Sequence, residues 1–392
     1  MRNALPVSVA VLYPRFDHPA IEERYASWQT QMLLRGPNRQ AHLMFYEPNE
    51  PASHVVADIE ETHVMVVTDP LLLPSPHIAM RLLAALEASG AAAAVPVSNE
   101  APQEKQRRPP PVPYLTLREA QEAIESLAQQ PPSTERVSWG SEDAFLFLCR
   151  TELLDDVNVP LRQALSGRDV VIATTEYVHR WSSLRGQTRH DLLDRISIDA
   201  KSILEFGCGE APLGEALKKR QKCRVVGIEL DEHAAAIARK RIDDVYRGDV
   251  REIVSIIGEK FDWIIGGDIV EHLDEPWSFL AELRRIATPG AHLLLSLPNL
   301  ANASVIADLL HGRFDYVYMG LTCVGHLRFF TKQTVADMLD IAGWTVVEIA
   351  PQDLVATPSR DALVGALDAS GYDYSKEDLL PTGYYVIARN DS

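Results

Sequence analysis

Short apolar runs recur along the chain and alternate with stretches whose apolar residues return every three or four positions. Pro6 to Leu12, Ala41 to Tyr46, Thr62 to Thr68, Ala91 to Val97, Ala144 to Cys149 and Val170 to Val178 predict buried strands. Helical spacing marks Ile21 to Leu34, stopped by Gly36-Pro37. It returns at Ser75 to Ala88, with Pro76 at its start and Gly90 past its end, and at Thr116 to Gln129. A further helix is expected between the last two strands. The segment APQEKQRRPPPVP, from Ala101 to Pro113, is Pro-rich and charged and predicts a mobile, partly polyproline-II loop. Strands alternating with helices imply an α/β layer on a parallel sheet.

The alternation starts afresh after Trp181 to Ile198, which is polar and Arg-rich with one amphipathic piece, HDLLDRI. That stretch reads as a linker running into a lead-in helix, dividing the chain into domains 1–185 and 186–392. Six strands follow: SILEF (202–206), CRVVGIEL (223–230), DVYRGDV (244–250), FDWIIGGDIV (261–270), AHLLLSLP (291–298) and Trp344 to Ile349. The terminal TGYYVIAR is a seventh. Helices are expected after Gly214 and at Ala234 to Arg241, Trp277 to Ile286 and Thr331 to Ala342.

The junction between SILEF and its helix carries the chemistry. The strand ends near an acid, Glu205, and Gly207, Gly209 and Gly214 follow. Gly207 permits a sharp turn, Gly209 lets the backbone approach a ligand, and Gly214 lets the new helix lie close on the strand. Acids recur at the ends of later strands: Glu229, Asp249 and Asp268. In an open α/β sheet that rim is where a ligand binds. Taken singly, each acid also fits a residue capping the next helix.

A dinucleotide fingerprint, G-x-G-x-x-G, has its third glycine three places after the second. Here Gly214 lies five places after Gly209, with Pro212 between. That longer turn resembles motif I of the class I S-adenosylmethionine (SAM)-dependent methyltransferases, E/D-x-G-x-G-x-G. Residues 202 to 350 are further similar to bacterial methyltransferases related to the ubiquinone-biosynthesis O-methyltransferases. The similarity is carried by D-x-x-E-H-L at 268–273, by LPNLANASVIADLLHGRFDY and by GHLRFFTKQTV. The last pair is frequent in methyltransferases found with surface-polysaccharide enzymes. The resemblance implies a Rossmann-like seven-stranded sheet, its seventh strand antiparallel between the fifth and sixth, and SAM as cofactor. It implies a cofactor site built from Glu205, the turn residues Gly207, Cys208, Gly209 and Gly214, and Glu229 with Leu230 at the ribose. Asp249 with Val250 is expected at the adenine, and Asp268 with Ile269 facing the ammonium group.

Methyl transfer to a hydroxyl needs a proton acceptor, and histidine suits that near neutral pH. His272 and His326 are the two candidates, each also readable as a loop fastener. His326 lies in an insert, Leu310 to Phe330, with His311, Arg313, Tyr316, Tyr318 and Arg328. Aromatics beside polar groups suit a sugar-like acceptor.

Met1 to about Arg185 resembles a glycosyltransferase of the GT-A type. VMVVTDPLLLPSPHIAMRLLAAL resembles the stretch bearing the acidic metal motif. FLFLCRTELLDD resembles the acceptor-site strand and helix, and VVIATTEYVHRW the closing strand ending at a histidine, His179. The expected D-x-D reads V-T-D-P, leaving Asp69 alone, and YEPNEPAS replaces the early acidic cluster. This half reads as a degenerate relative that binds a glycan-like partner or supports the fold, with an active transferase as the alternative.

A net charge of −17 argues against a nucleic-acid partner. The densest basic group, Lys218, Lys219, Arg220, Lys222 and Arg224, falls at a helix end, where cations suit the helix dipole. Cys149, Cys208, Cys223 and Cys323 are scattered with no C-x-x-C, so neither a disulfide framework nor a zinc site is indicated, and no metal is expected. No window approaches the roughly 18 apolar residues of a membrane span. A cytoplasmic enzyme acting on a small-molecule or glycan acceptor is the expectation.

Overall fold

The computed structural model describes residues 9–15, 42–69, 72–73, 75, 77–180 and 187–391. The expected helix at Ile21 to Leu34, its Gly36-Pro37 stop and Pro76 lie outside these residues. The chain separates into two compact units, residues 1–182 with 317–319, and residues 183–316 with 320–392.

In the first unit the strands are β1 (Val9–Pro14), β2 (His42–Tyr46), β3 (His63–Val67), β4 (Leu72–Leu73), β5 (Ala93–Ser98), β6 (Thr134–Ser138), β7 (Leu146–Arg150) and β8 (Asp169–Arg180). They form one sheet in the order β2-β1-β3-β7-β5-β8-β4, with β6 on β8. The sheet is mixed rather than parallel. β7 runs antiparallel to both β3 and β5, and β4 and β6 run antiparallel to β8. Successive residues of β1 alternate between two cores: Ala10 and Leu12 face one, Val9, Val11 and Tyr13 the other.

The helices of this unit are α1 (Ala52–Val55), α2 (Ile78–Ser89) and α3 (Leu117–Ala128). Gly90 closes α2 in the left-handed conformation, and the Thr116 side chain caps α3. Two short 3-10 turns, Thr151–Leu153 and Leu161–Gln163, stand where a further helix was expected before β8. The Pro-rich segment is pinned instead of free: Gln106 is buried, its amide donates to the Pro96 carbonyl, and the Arg108 amide donates to the Ser98 carbonyl.

The second unit holds β9 (Ser202–Phe206), β10 (Arg224–Glu229), β11 (Asp244–Arg247), β12 (Phe261–Gly267), β13 (Ala287–Pro298), β14 (Thr345–Pro351) and β15 (Gly383–Arg389). Their order is β11-β10-β9-β12-β13-β15-β14. All pairs are parallel except those of β15, which runs antiparallel between β13 and β14. This is the insertion the resemblance implied.

The helices here are α4 (His190–Leu193), α5 (Pro212–Arg220), α6 (Glu232–Ala238), α7 (Val250–Ile256), α8 (Pro276–Leu283), α9 (Ala303–Leu310), α10 (Lys332–Ile341), α11 (Pro358–Ser370) and α12 (Lys376–Leu379). The strand-like pattern at 244–250 in fact ends at Arg247, and Val250 already belongs to α7. Strand alternation again separates two cores. Leu204, Phe206, Ile264 and Leu295 pack on one face of the sheet, and Ile203, Ile265, Leu294 and Leu217 on the other. The basic group near α5 is neutralised locally: Lys218 pairs with Asp243, Lys219 with Glu215, and Arg224 with Asp244 and Glu259.

Candidate functional site

The parallel strands β9, β10 and β12 end on one rim, and the turn after β9 is built there. Gly207 has φ 70° and Gly209 φ 55°, the left-handed region glycine tolerates. A Cβ on Gly207 would stand 2.3 Å from Ile269 Cδ1. A Cβ on Gly214 would stand 2.7 Å from Ile242 Cγ2 and 3.0 Å from Val225 Cγ1, so this position does set the closeness of α5 to the sheet. Two non-glycine residues also occupy positive φ, Ala211 at 57° and Asp268 at 53°. Both lie on this rim, and backbone strain of that kind concentrates where a ligand is held.

Glu229 buttresses the turn. The Gly209 amide donates to its Oε2 at 2.8 Å and the Asp231 amide to its Oε1 at 2.8 Å. Each carboxylate oxygen keeps a further lone pair for a hydroxyl. Leu230 beside it is 66% exposed, an apolar surface at the rim. Cys208 is buried, its side chain in the core beneath the turn.

Glu205 is 8% exposed and its Oε2 accepts no hydrogen bond. Burial pushes its carboxyl up to about 8, with the Gly214 amide pulling the other way and the Glu229 charge adding to the rise.

Asp249 takes the role of a helix cap. Its Oδ1 accepts from the Arg251 amide at 2.9 Å, and its Oδ2 pairs with the Arg251 guanidinium at 2.6 Å. The Arg251 pair holds its carboxyl below the usual range. The expected adenine contact therefore competes with a cation the residue already holds.

Asp268 is likewise paired, although it was expected to face an ammonium group. Arg189 donates to its Oδ2 at 2.6 Å, and the Ser296 hydroxyl to its Oδ1 at 2.8 Å. Arg189 also donates to Asp191 through Nε at 3.0 Å and Nη2 at 2.8 Å, and Tyr385 donates to Asp191 at 2.9 Å. Burial opposes the Arg189 charge, but Asp191 and Asp268 outweigh it and raise its pKa. Sequence reading passed over Arg189, Asp191, Ser296 and Tyr385. Only the folded sheet brings the Arg189–Asp191 segment, Ser296 and Tyr385 together.

Past Asp268 the chain makes a 3-10 turn, Val270–His272. The insert is sewn onto it by main chain: Leu327 and Arg328 amides donate to the Glu271 carbonyl at 2.8 and 3.0 Å. The His272 Nδ1 lies 2.9 Å from the Gly325 carbonyl, and the His272 and His326 rings meet edge to face at 5.0 Å. Both histidine candidates thus share one place. Burial lowers the His272 pKa and pushes that of His326 down to about 3. Glu271 between them is 0% exposed, and burial, then the Asp268 charge, raises its carboxyl well above the ordinary range. Its neighbours in the motif were singled out from sequence; Glu271 itself was not. Elsewhere in the insert, His311 contacts the Ala307 carbonyl at 2.7 Å and Arg313 pairs with Asp315, while Tyr316 is exposed.

The Gly-rich turn after β9 and the antiparallel β15 between β13 and β14 are the features that the methyltransferase resemblance implied. Residues 177–349 match the family model described as a methyltransferase domain. The chain is similar to the ubiquinone biosynthesis O-methyltransferase of Hahella chejuensis, 29% identical over 140 residues, which cover 32% of this chain and 58% of that protein. It is 22% identical over 163 residues to the protein of the same name from Cereibacter sphaeroides, covering 40% of this chain and 66% of that one. The match thus spans less than two-thirds of the length of these relatives. A SAM-dependent methyltransferase from Archaeoglobus fulgidus aligns at TM-score 0.38 and 16% identity, over 52% of this chain and 94% of that one.

In the first unit, the lone carboxylate Asp69 accepts from Arg180 Nε at 2.6 Å. Asn99, Glu100, Ala101, Pro102, Arg107 and Arg180 line a cavity of 440 Å³. His179 is bonded to the Tyr114 hydroxyl at 2.5 Å, and burial lowers its pKa to about 4. Among the described residues, no helix is long and apolar enough to cross a membrane.

Proposed function

We propose that the protein transfers the methyl group of S-adenosylmethionine to a hydroxyl of a small-molecule acceptor, a sugar or glycan intermediate of surface-polysaccharide synthesis being the class its insert suits. The observation that carries this is the joint placement of Glu205, Glu229 and the turn at Gly207 to Gly209 on one sheet rim. The Glu229 carboxylate there suits the ribose hydroxyls of a nucleoside cofactor. Glu229 and the turn receive the ribose and Val250 with Asp249 borders the adenine. Asp268 and Arg189 lie toward the amino-acid end, where an arginine and a carboxylate match a zwitterion. The reaction is an in-line displacement: the S–CH3 bond breaks as O–CH3 forms, S-adenosylhomocysteine leaves, and the hydroxyl proton passes to a base. Positioning supplies most of the rate. His272 is the available base, since its Nδ1 contact to the Gly325 carbonyl leaves Nε2 free to accept a proton.

Calorimetry of the full chain with S-adenosylhomocysteine tests the cofactor site, and labelled-methyl transfer to sugars, nucleotide sugars and catechols tests the acceptor class. No heat of binding at any accessible concentration refutes the reading. For the first unit we propose a glycan-binding role within a degenerate GT-A-like fold; the Arg180 ion pair supports only the degenerate part of that reading, because it occupies the one carboxylate of the V-T-D-P stretch. Transfer from a sugar nucleotide that is lost in Asp69→Ala revives the catalytic alternative.

A further inference from the structure

Three strands of the first unit end on one rim. β5 runs parallel to β8, and β3 points the same way because β7 lies antiparallel to both β3 and β5. Asp69, Asn99 and Arg180 stand at or just past those ends. In an open α/β sheet a ligand lies outside the carboxyl ends of parallel strands. The 440 Å³ cavity sits at this rim, within the roughly 300–1,000 Å³ of small-molecule sites.

Two arginines line the cavity, each fixed by oxygen acceptors and each with donors left over. Arg180 donates through Nε to Asp69 at 2.6 Å and through Nη1 to the Glu100 carbonyl at 3.1 Å. Its main chain is clamped by the Asn99 side chain, which accepts from the Arg180 amide at 2.7 Å and donates to the Arg180 carbonyl at 2.9 Å. Arg107 donates through Nε and Nη2 to the Ala101 carbonyl at 3.2 and 3.0 Å. Among the described residues, nothing accepts from Arg180 Nη2 or Arg107 Nη1.

The wall that carries Arg107 is the Pro-rich segment. It is held to β5 by the Gln106 side-chain amide on the Pro96 carbonyl at 2.6 Å and the Arg108 main-chain amide on the Ser98 carbonyl at 2.8 Å. Guanidiniums fixed before binding lose little freedom when an anion arrives. On a chain of net charge −17, this pair is not part of a general basic surface. Glu100 brings a carboxylate to the same lining. A carboxylate accepts from hydroxyls and opposes a small anion that carries no other groups.

We infer that this cavity binds an acidic sugar, with its phosphate or carboxylate on Arg107 and Arg180 and its hydroxyls toward Glu100. The planar fork of a guanidinium matches either oxyanion. The sugar part rests on the glycan-binding reading of this unit; the anion part rests on the two arginines alone. Neither depends on methyl transfer.

Calorimetry and saturation-transfer NMR of the full-length protein test this with glucose 1-phosphate, glucuronate, glucose and inorganic phosphate. One site per chain is expected for glucose 1-phosphate or glucuronate, and the stronger of the two tells a phosphate ligand from a carboxylate one. Glucose and inorganic phosphate are each expected to bind at least about tenfold more weakly. Arg107→Gln should weaken the acidic sugar about 10- to 100-fold and leave glucose unaffected. Arg180→Lys keeps the charge but loses the fork, and should weaken it about tenfold. Glu100→Gln should narrow the gap between glucose 1-phosphate and inorganic phosphate. Arg150→Gln, on an exposed ion pair with Glu87, should change nothing. Circular dichroism checks each variant, and exposed Arg107 covers the case in which Arg180→Lys does not fold. No binding of any probe at millimolar concentration overturns the assignment, as does wild-type affinity in both arginine variants. Inorganic phosphate bound as tightly as glucose 1-phosphate overturns the acidic sugar and the glycan reading together, leaving an oxyanion site. Glucose bound as tightly as glucose 1-phosphate, and indifferent to Arg107→Gln, upholds the glycan reading and sinks this assignment.

Discussion

Replacing Glu229 with glutamine tests the rim more sharply than deleting it. The glutamate holds two main-chain donors, the Gly209 and Asp231 amides, each at 2.8 Å. Glutamine keeps the shape but has one oxygen and one NH2. Whichever way the amide flips, one backbone N–H then faces another donor. An unsatisfied donor of this kind costs about 1–3 kcal/mol, and because Glu229 is half-buried, water relieves part of it and the lower half of that range applies. Since 1.4 kcal/mol is tenfold, S-adenosylhomocysteine binding should weaken roughly 5- to 30-fold in Glu229→Gln through distortion of the turn at Gly209. Calorimetry on the full chain reads the affinity, and urea unfolding followed by tryptophan fluorescence reads the stability. Affinity within twofold of wild type, at unchanged stability, would show that neither the turn nor Glu229 shapes the ligand site.

Gly207→Ala should destabilise the second unit by about 2–4 kcal/mol in urea unfolding, combining left-handed strain with the clash against Ile269. In an Ile269→Ala background the same change should cost only about 1–2 kcal/mol, and equal costs in both backgrounds refute the contact. Burial raises the Glu205 carboxyl to about 8, above its ordinary 4.5, so the folded state holds that proton more tightly than the unfolded chain. The stability this contributes is full below about pH 4.5 and is lost as pH rises through 8. Urea midpoints should therefore fall between pH 5 and 9, and Glu205→Gln should remove that part of the slope; an unaltered slope contradicts the assignment. Arg189→Leu leaves Asp191 and Asp268 without their cation and should cost about 1–3 kcal/mol, with partial recovery in Arg189→Lys. Thermal unfolding at low and high salt checks it.

How far the chain announces its own structure differs between its parts. The turn after SILEF was legible because each of its requirements is local. Positive φ at Gly207 and Gly209 admits few residues, Pro212 starts a helix at its first position, and a strand must precede both. The alternation of Leu204 and Phe206 against Ile203 likewise declares two covered faces before any fold is known. Strand direction was not legible. The run Leu146 to Cys149 is buried throughout and reads the same whichever way it is laid, so its antiparallel placement between β3 and β5 depends on which neighbours it meets. The helix over Val250–Ile256 was missed because DVYRGDV looks continuous, whereas Asp249 caps the following turn with its own side chain.

The candidate site divides along the same line. Sequence alone determined that carboxylates and glycines recur at strand ends, because covalent spacing and backbone sterics act within a few residues. Only the tertiary structure decided what those carboxylates touch. It brought Arg189, Ser296 and Tyr385 from three separate segments around Asp268 and Asp191, and set His326 of the insert against Glu271 and His272. Such meetings depend on how crossovers return the chain to the sheet, and on burial that removes water from some charges and not others, neither of which a linear pattern of residues encodes.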